Sequence, residues 1–465
     1  VAESSKPKRK PSRKIAIIGA GFSGSILAVH LLRRCKPGDV IYLLEKSERF
    51  GPGLAYGTGN GRHLLNVRAS NMSAFPDEPG HFVDWLARHR ETQSEGDAID
   101  GNTFVPRGVY GAYIQSLIGE ALKGEDHAAM LSLMPDEAVG ITPRESGFAI
   151  ELQSGRPLKV DACILALGNQ PPASHLAGYF GNPWDPEAVS YIPAKAAVMI
   201  LGTGLTMIDT VLSLKEQGHS GPIFAFSRRG LLPRQHRAVT PLPAAPLEAW
   251  ANQSPRAMLR QMRSEIRRAE AAGGDWRAVI DSLRAITQPL WQGLGFADKQ
   301  RFLRHLRPWW DVHRHRCAPQ VWRTIEASRA SGQLLVRSAK IVSMKPSRVG
   351  VEVRFTRRGS TMENTLNVNR VINCSGPQRG YATTREPLMR ALLDQGLARP
   401  DPLDLGLDVD AGGAVIGRDG APARRLFAVG PMTQGTFWEI IAVPDIRNQC
   451  AAVAARVFDA LDAKP

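Results

Sequence analysis

The chain contains no run near the roughly 20 consecutive apolar residues that a membrane-spanning helix needs, which excludes an integral membrane protein. It is also poor in cysteine. The five, Cys35, Cys163, Cys317, Cys374 and Cys450, are far apart and form no C-x-x-C. A dithiol redox centre, a zinc knuckle and a disulfide framework are therefore not expected. Cys163 and Cys374 sit inside apolar runs, where a buried, inert thiol is the ordinary case, and a reducing cytoplasm suits such a set. G-x-S-x-G, the P-loop and H-E-x-x-H are all missing, which removes the usual serine-hydrolase, P-loop and zinc-protease readings. No metal site is expected.

What is present is a long and basic chain. Its 465 residues correspond to about three domain-sized units, large enough to build cores without disulfides. Lys and Arg number 59 against 44 Asp and Glu, a net charge of +15. Six basic residues fall in the first 14, which lack an apolar core and read as a disordered basic tail, not a secretory leader. A second concentration lies between Arg256 and Arg316, on a segment of helical character. Neither zinc-finger spacing nor an aromatic RNA-binding signature accompanies these charges. No specific nucleic acid is expected as partner, and anionic small molecules account for the charge at least as well.

KIAIIGAGFSGSILAVHLLRRC (14–35) reads as an apolar strand, a glycine-rich turn and a helix, followed by the strand VIYLLEK (40–46). GAGFSG spells G-x-G-x-x-G at Gly19, Gly21 and Gly24, with Phe22 and Ser23 opening the helix. Gly19 permits the turn, Gly21 lets backbone approach a pyrophosphate, and Gly24 allows close helix–strand packing. The helix N-terminus supplies N–H donors and the positive end of a dipole. Glu45 ends the next strand, where a carboxylate accepts both ribose hydroxyls of a bound adenosine.

The pattern then restarts. AAVMILGTGLTMIDTVLSLKEQG (196–218) is again strand, turn and helix, with Gly202 and Gly204, and Met207 in the third glycine position suggests looser helix packing. The following strand ends in Ser227-Arg228-Arg229 instead of an acid. Two arginines there suit a 2′-phosphate, with Arg234 and Arg237 placed to join them; the plainer reading is a solvated basic turn. Residues 147–171 and 350–378 share one order: paired strands, an apolar strand, a terminal glycine. This is a duplicated organisation, interrupted at about 245–335 by a helical insertion that holds most of the nine tryptophans. The expected fold is α/β, with two Rossmann-like dinucleotide-binding domains, the second inserted in the first. The boundaries run 15–190 and 370–465 for the first domain, 191–369 for the second, and 1–14 for the tail.

FGPGLAYGTGNGRHLLNVRASNMSAFPDEPGHFVDWL (50–86), ALGNQPP (166–172), ILGTGLTMIDT (200–210) and VGPMTQGTFWEIIAVPDIR (429–447) carry a resemblance that covers nearly the whole chain after residue 14. The chain resembles flavoproteins with two dinucleotide-binding domains, a group that includes the flavin-containing monooxygenases and flavin N-hydroxylases, and within it a bacterial FAD/NAD(P)-binding subfamily. The resemblance implies FAD in the first module and NADPH in the second. It implies that Arg107 is a flavin-side arginine with Tyr110 and Tyr113 behind it. Gly168 and Gly376 would end the strands linking the domains, and Gly430 would form the second FAD turn, with Pro431 in place of the family's usual Asp.

Asn66 would stabilise reduced or oxygenated flavin, the alternative being a turn cap. Trp184-Asp185 stands where the monooxygenase linker carries His. The implied activity is NADPH-dependent monooxygenation of a small polar molecule by O2 through a peroxyflavin. The alternative is a reductase passing electrons to a quinone, protein or small acceptor. WWDVHRHRCAP (309–319) reads as mixed core and basic face; its other reading is a substrate lid with a histidine proton shuttle.

Overall fold

The computed structural model describes residues 12–89, 100–123, 130–378 and 380–463. Most of the expected basic tail, residues 1–11, lies outside the described residues. Two sheets organise the rest, and the architecture is the expected α/β pair of Rossmann-like modules.

The first sheet has six strands in the order Ala414–Ile416, Pro422–Ala428, Ala162–Leu165, Lys14–Ile18, Val40–Leu44, Met130–Met134. All neighbours are parallel except the first pair. Its central strands are short apolar runs buried on both faces, as parallel strands covered by other layers must be. One face packs against helices Phe22–Leu32, Arg107–Lys123 and Val443–Asp462. The other carries a three-stranded antiparallel sheet, Ala138–Arg144, Gly147–Leu152 and Leu158–Val160, and helix Pro387–Asp394.

The second sheet has seven strands: Glu363–Val368, Gly350–Arg357, Leu334–Ser347, Ile223–Ser227, Val198–Leu201, Arg370–Asn373, Tyr179–Phe180. Leu334–Ser347 is long enough to serve twice. Its first half pairs parallel with Ile223–Ser227, and from Ala339 onward its second half pairs antiparallel with Gly350–Arg357, with a register shift between Ile341 and Ser343. Two strands depart from the expected boundaries. Tyr179–Phe180 and Arg370–Asn373, assigned by sequence to the first domain, complete the sheet of the second. A strand joins whichever sheet offers it unpaired backbone groups, and here the edge beside Val198–Leu201 does so.

Between Ile223–Ser227 and Leu334–Ser347 the chain builds the helical insertion, from the turn Leu247–Ala249 through helix Pro319–Ala330. Ser254 and Asp275 cap two of its helices by accepting from Ala257 N and Arg277 N. Among the described residues no helix is long and apolar enough to cross a membrane.

Candidate functional site

The glycines of the two turns divide by what demands them. At Gly19, φ +100°, a Cβ would stand 2.5 Å from the Ala166 carbonyl oxygen, and on Gly24 it would stand 1.9 Å from the Gly19 carbonyl oxygen. Packing alone requires both. Gly21 is different, because its Cβ would meet only the Gly53 Cα at 3.5 Å, an ordinary contact. Gly21 is the N-cap of helix Phe22–Leu32, whose start has no side-chain cap and no acidic residue in its first turn. A glycine the fold does not need, set before open N–H donors, leaves space and favourable charge for a phosphate.

The second turn repeats this division. A Cβ on Gly202 would meet the Cys374 carbonyl oxygen at 2.3 Å, whereas one on Gly204 would meet nothing within 4 Å. Gly204 caps helix Leu205–Glu216, again without a side-chain cap. Met207 is fully buried between this helix and its sheet. The second helix therefore stands far enough from its turn to admit a side chain where Gly24 admits none.

Around the first turn, Glu45 lies against the glycine backbone. Its Oε2 accepts from Ala20 N at 2.9 Å, and its Oε1 accepts from Ser47 N and Ser47 Oγ at 3.0 and 2.8 Å. The Phe22 ring meets Tyr56 edge-on at 5.6 Å. Gly430 brings the C-terminal segment onto the helix start: a Cβ there would stand 2.4 Å from Ser23 Oγ, and its N donates to Gln449 Oε1 at 2.7 Å. Gly168, beyond strand Ala162–Leu165, shares a small recess with Pro431 and Gln434. Gly376, beyond Arg370–Asn373, opens onto the main cleft.

That cleft, about 1120 Å³, is walled by Gly202, Gly204, Arg228 and Arg229. Ser227 Oγ accepts from Gly230 N at 2.9 Å and pairs with Thr203 Oγ1 at 2.9 Å, so the arginine turn is tied to the glycine turn. Arg228 is exposed and Arg229 half-buried, and neither has a salt-bridge partner among the described residues. Arg234 and Arg237 do not join them. Their charges act on His313 and Asp275 of the helical insertion, and neither lines the cleft.

The cleft runs into an inner cavity of about 320 Å³, with Thr206, His315, Asn373 and Gly376 lining both. Asn66, Arg107, Tyr56 and Trp184 line the inner cavity. Asn66 is held by its backbone, whose carbonyl accepts from His236 Nε2 at 3.0 Å; its side chain makes no hydrogen bond among the described residues. Arg107 is not a free cation. Its Nη2 stands 2.9 Å from Asp209 Oδ2 on the second module's helix, the two side chains 13% and 7% exposed. Burial pushes the Asp209 carboxyl up from its usual range even beside this arginine. His63 of the first module adds a contact, its Nε2 3.0 Å from Asp209 O and from Ser213 Oγ. Tyr110 and Tyr113 are both fully buried, and the Tyr113 hydroxyl lies 2.8 Å from His81 Nδ1.

The segment read as core and basic face forms part of the cleft wall. Asp311 and His315 line it, as does Arg307 just before the segment, while Trp310 Nε1 and Arg314 Nε both donate to Glu439, a buried residue with φ +66°. Burial lowers His315 below the ordinary imidazole range, which leaves it neutral at pH 7. Burial also pushes the Cys374 thiol, at the same junction, up to about 12. Sequence reading passed over Thr206, Asn373 and Glu439 and met His315 only in its alternative. Polar residues in apolar stretches carry no local signature of a cleft. Among the described residues no group of His, Cys, Asp and Glu is arranged to hold a metal ion.

Residues 16–170 match the profile of a family described as FAD-NAD(P)-binding. A search of curated proteins finds no match to the chain. Among solved structures, the ornithine hydroxylase of Pseudomonas aeruginosa is 13% identical with a TM-score of 0.61, covering 97% of this chain and 100% of its own. The L-lysine 6-monooxygenase of Pseudomonas syringae is 15% identical with a TM-score of 0.58, covering 97% and 100%. The bacillithiol disulfide reductase of Staphylococcus aureus is 12% identical with a TM-score of 0.53, covering 97% and 99%. These likenesses bear out the expected fold and the resemblance to two-domain flavoproteins.

Proposed function

We propose that the protein is an FAD-dependent, NADPH-consuming monooxygenase that oxygenates a small molecule at a polar, nucleophilic group. The observation that carries this is the pair of glycines, Gly21 and Gly204, that packing does not need, each before an uncapped helix N-terminus. Gly21, Glu45, Gly168 and Gly430 would hold FAD; Gly204, Arg228 and Arg229 would hold NADPH. Bound together, such cofactors supply hydride transfer and activation of O2, so that NADPH, a proton, O2 and substrate become NADP⁺, water and the singly oxygenated product.

The chain's own residues supply position, exclusion of water and proton control. The Arg107–Asp209 pair fixes one module against the other, which sets the distance any hydride must cross. Tyr56, Met72 and Trp184 give the inner cavity an apolar wall that keeps bulk water from its floor. His315, neutral and shared by cleft and cavity, is the base that takes a proton from the substrate's nucleophile. The Asn66 side-chain amide, with no hydrogen-bond partner among the described residues, is left to donate to a flavin or to substrate.

A second reading, NADPH-dependent reduction of a small acceptor, draws support from the likeness to a disulfide reductase. Against thiol chemistry stands Cys374, a protonated thiol hydrogen-bonded to Thr210 Oγ1 at 3.3 Å, with no second cysteine among the cleft-lining residues. Labelled O2 separates the readings. The monooxygenase reading expects label in product, and unlabelled product with fast anaerobic turnover on a quinone would replace it with the reductase. Protein that takes up no FAD on reconstitution removes both.

A further inference from the structure

A cavity of about 420 Å³ lies inside the helical insertion, beside the nucleotide cleft. One side is the apolar face of helix Pro255–Ala271, carrying Met258, Leu259, Met262 and Ile266; the other includes Trp291 and Trp310. An amphipathic helix normally presses such a face into a core. Here only Pro255 of the whole 17-residue helix is buried, because the apolar face borders a hole. The wall is apolar apart from Arg263, Thr287, His305, His313 and the indole nitrogens, and Arg263 and His305 are exposed at its rim.

Trp438 lines both this cavity and the cleft. It is 3% exposed, and its Nε1 has no hydrogen-bond partner among the described residues. Its neighbours are satisfied: Trp291 Nε1 donates to Gly435 O at 2.8 Å, and Trp310 Nε1 to Glu439. A buried N–H without an acceptor is costly, and this one belongs to the residue that forms the wall between the two cavities.

We propose that this cavity holds the apolar arm of the substrate, an aliphatic chain seated among the tryptophans, with its polar head beside Trp438 at the cleft. The volume takes on the order of a dozen groups of about 30 Å³ each. It equals no more than about one turn of a 10 Å-wide helix, too little for a peptide partner. The assignment of the arm to a substrate rests on the oxidoreductase reading of the cleft; the chain-binding site does not.

The test uses the full protein and straight-chain alkylamines of about four to about twelve carbons, with fatty carboxylates of equal length as a second arm. Binding is read by quenching of tryptophan emission, and NADPH oxidation is followed in parallel. Affinity should tighten about fourfold per methylene until the cavity is full, and the better-bound head group identifies which class enters the cleft. Met262→Trp, which fills the hole from a partly exposed helix face, should abolish the chain-length dependence. Met262→Ala should move the optimum to longer chains. Affinity independent of length, or unchanged in Met262→Trp, overturns the proposal and leaves the oxidoreductase reading standing. Length-dependent binding that never alters NADPH oxidation overturns the assignment to substrate. Absence of FAD binding sinks the oxidoreductase reading and leaves the titration intact.

Discussion

Replacing Arg228 or Arg229 by alanine should cost the protein NADPH and spare NADH. Both arginines follow the strand Ile223–Ser227 directly, and the Ser227 hydroxyl ties their turn to the Gly202–Gly204 turn through Thr203. The Ser338 hydroxyl donates to the Arg228 carbonyl at 2.9 Å, so the backbone is pinned while both guanidinium groups lack an acidic partner among the described residues. A charge-assisted contact to a 2′-phosphate contributes about 1.5–3 kcal/mol. Arg228 is exposed, so screening holds it near the lower figure, a loss of about tenfold in affinity. Arg229 is half-buried and belongs nearer the upper figure, approaching a hundredfold. NADH carries no such phosphate, and its use should stay within about twofold, the ordinary range of a surface substitution. The assay is kcat/KM for flavin reduction with each nucleotide, in wild type and both variants, at low and high salt. Salt should weaken NADPH more than NADH, since only the former relies on a solvent-facing ion pair. Equal wild-type values for the two nucleotides, or equal losses on mutation, would refute the reasoning and return these arginines to a solvated basic turn.

The glycine division predicts that Gly204→Ala leaves Tm unchanged and raises the KM for NADPH, whereas Gly24→Ala, whose Cβ meets the Gly19 carbonyl oxygen, costs at least about 1–3 kcal/mol in stability and depletes FAD. Thermal unfolding with FAD content measures both, and a destabilised Gly204→Ala protein contradicts the division. Asp209→Ala strands the Arg107 guanidinium in a site where it is 13% exposed, so unfolding by urea should show a loss of about 3–5 kcal/mol, and a loss under about 1 kcal/mol would mean the modules do not depend on this pair. Because burial lowers His315 below its usual range, kcat/KM should stay level from pH 8 down to about 6.5 and fall only below it; an unchanged acid limb in His315→Ala would remove the base from its role.

The parts of this protein that were legible in its sequence are those whose chemistry is local. A strand, a glycine turn and a helix occupy consecutive residues, so Gly19, Gly21 and Gly24 announce their place, as do Gly202 and Gly204. Glu45 and Arg228-Arg229 stand at fixed distances along the same units. Pattern alone does not say which glycine packing requires and which it leaves free; that needed the position of Ala166, Cys374 and Gly53 around each missing side chain. Strand ownership was not legible either. Arg370–Asn373 has the same apolar character whichever sheet it joins, and its neighbour Val198–Leu201 lies well over a hundred residues earlier.

The inner cavity shows why a reading that picked out the two glycine turns did not reach the residues between them. Asn66 comes from a loop of the first module, Arg107 from a helix start, Trp184 from the connection between Tyr179–Phe180 and Val198–Leu201, Thr206 and Asn373 from the second module, and His315 from the insertion. No two share a local motif, so spacing cannot reveal them, and Arg107 was seen only through a resemblance that missed its partner Asp209. A dinucleotide cofactor keeps the same pyrophosphate in every protein, which is why a cradle for it repeats as a motif. A substrate does not, and the residues that receive it are free to come from anywhere the fold brings together. In this chain that freedom is concentrated in the helical insertion, which supplies His315 to the cleft and the tryptophan-walled cavity beside it. Substrate choice should therefore follow changes between residues 245 and 335 while cofactor use remains with the two glycine turns.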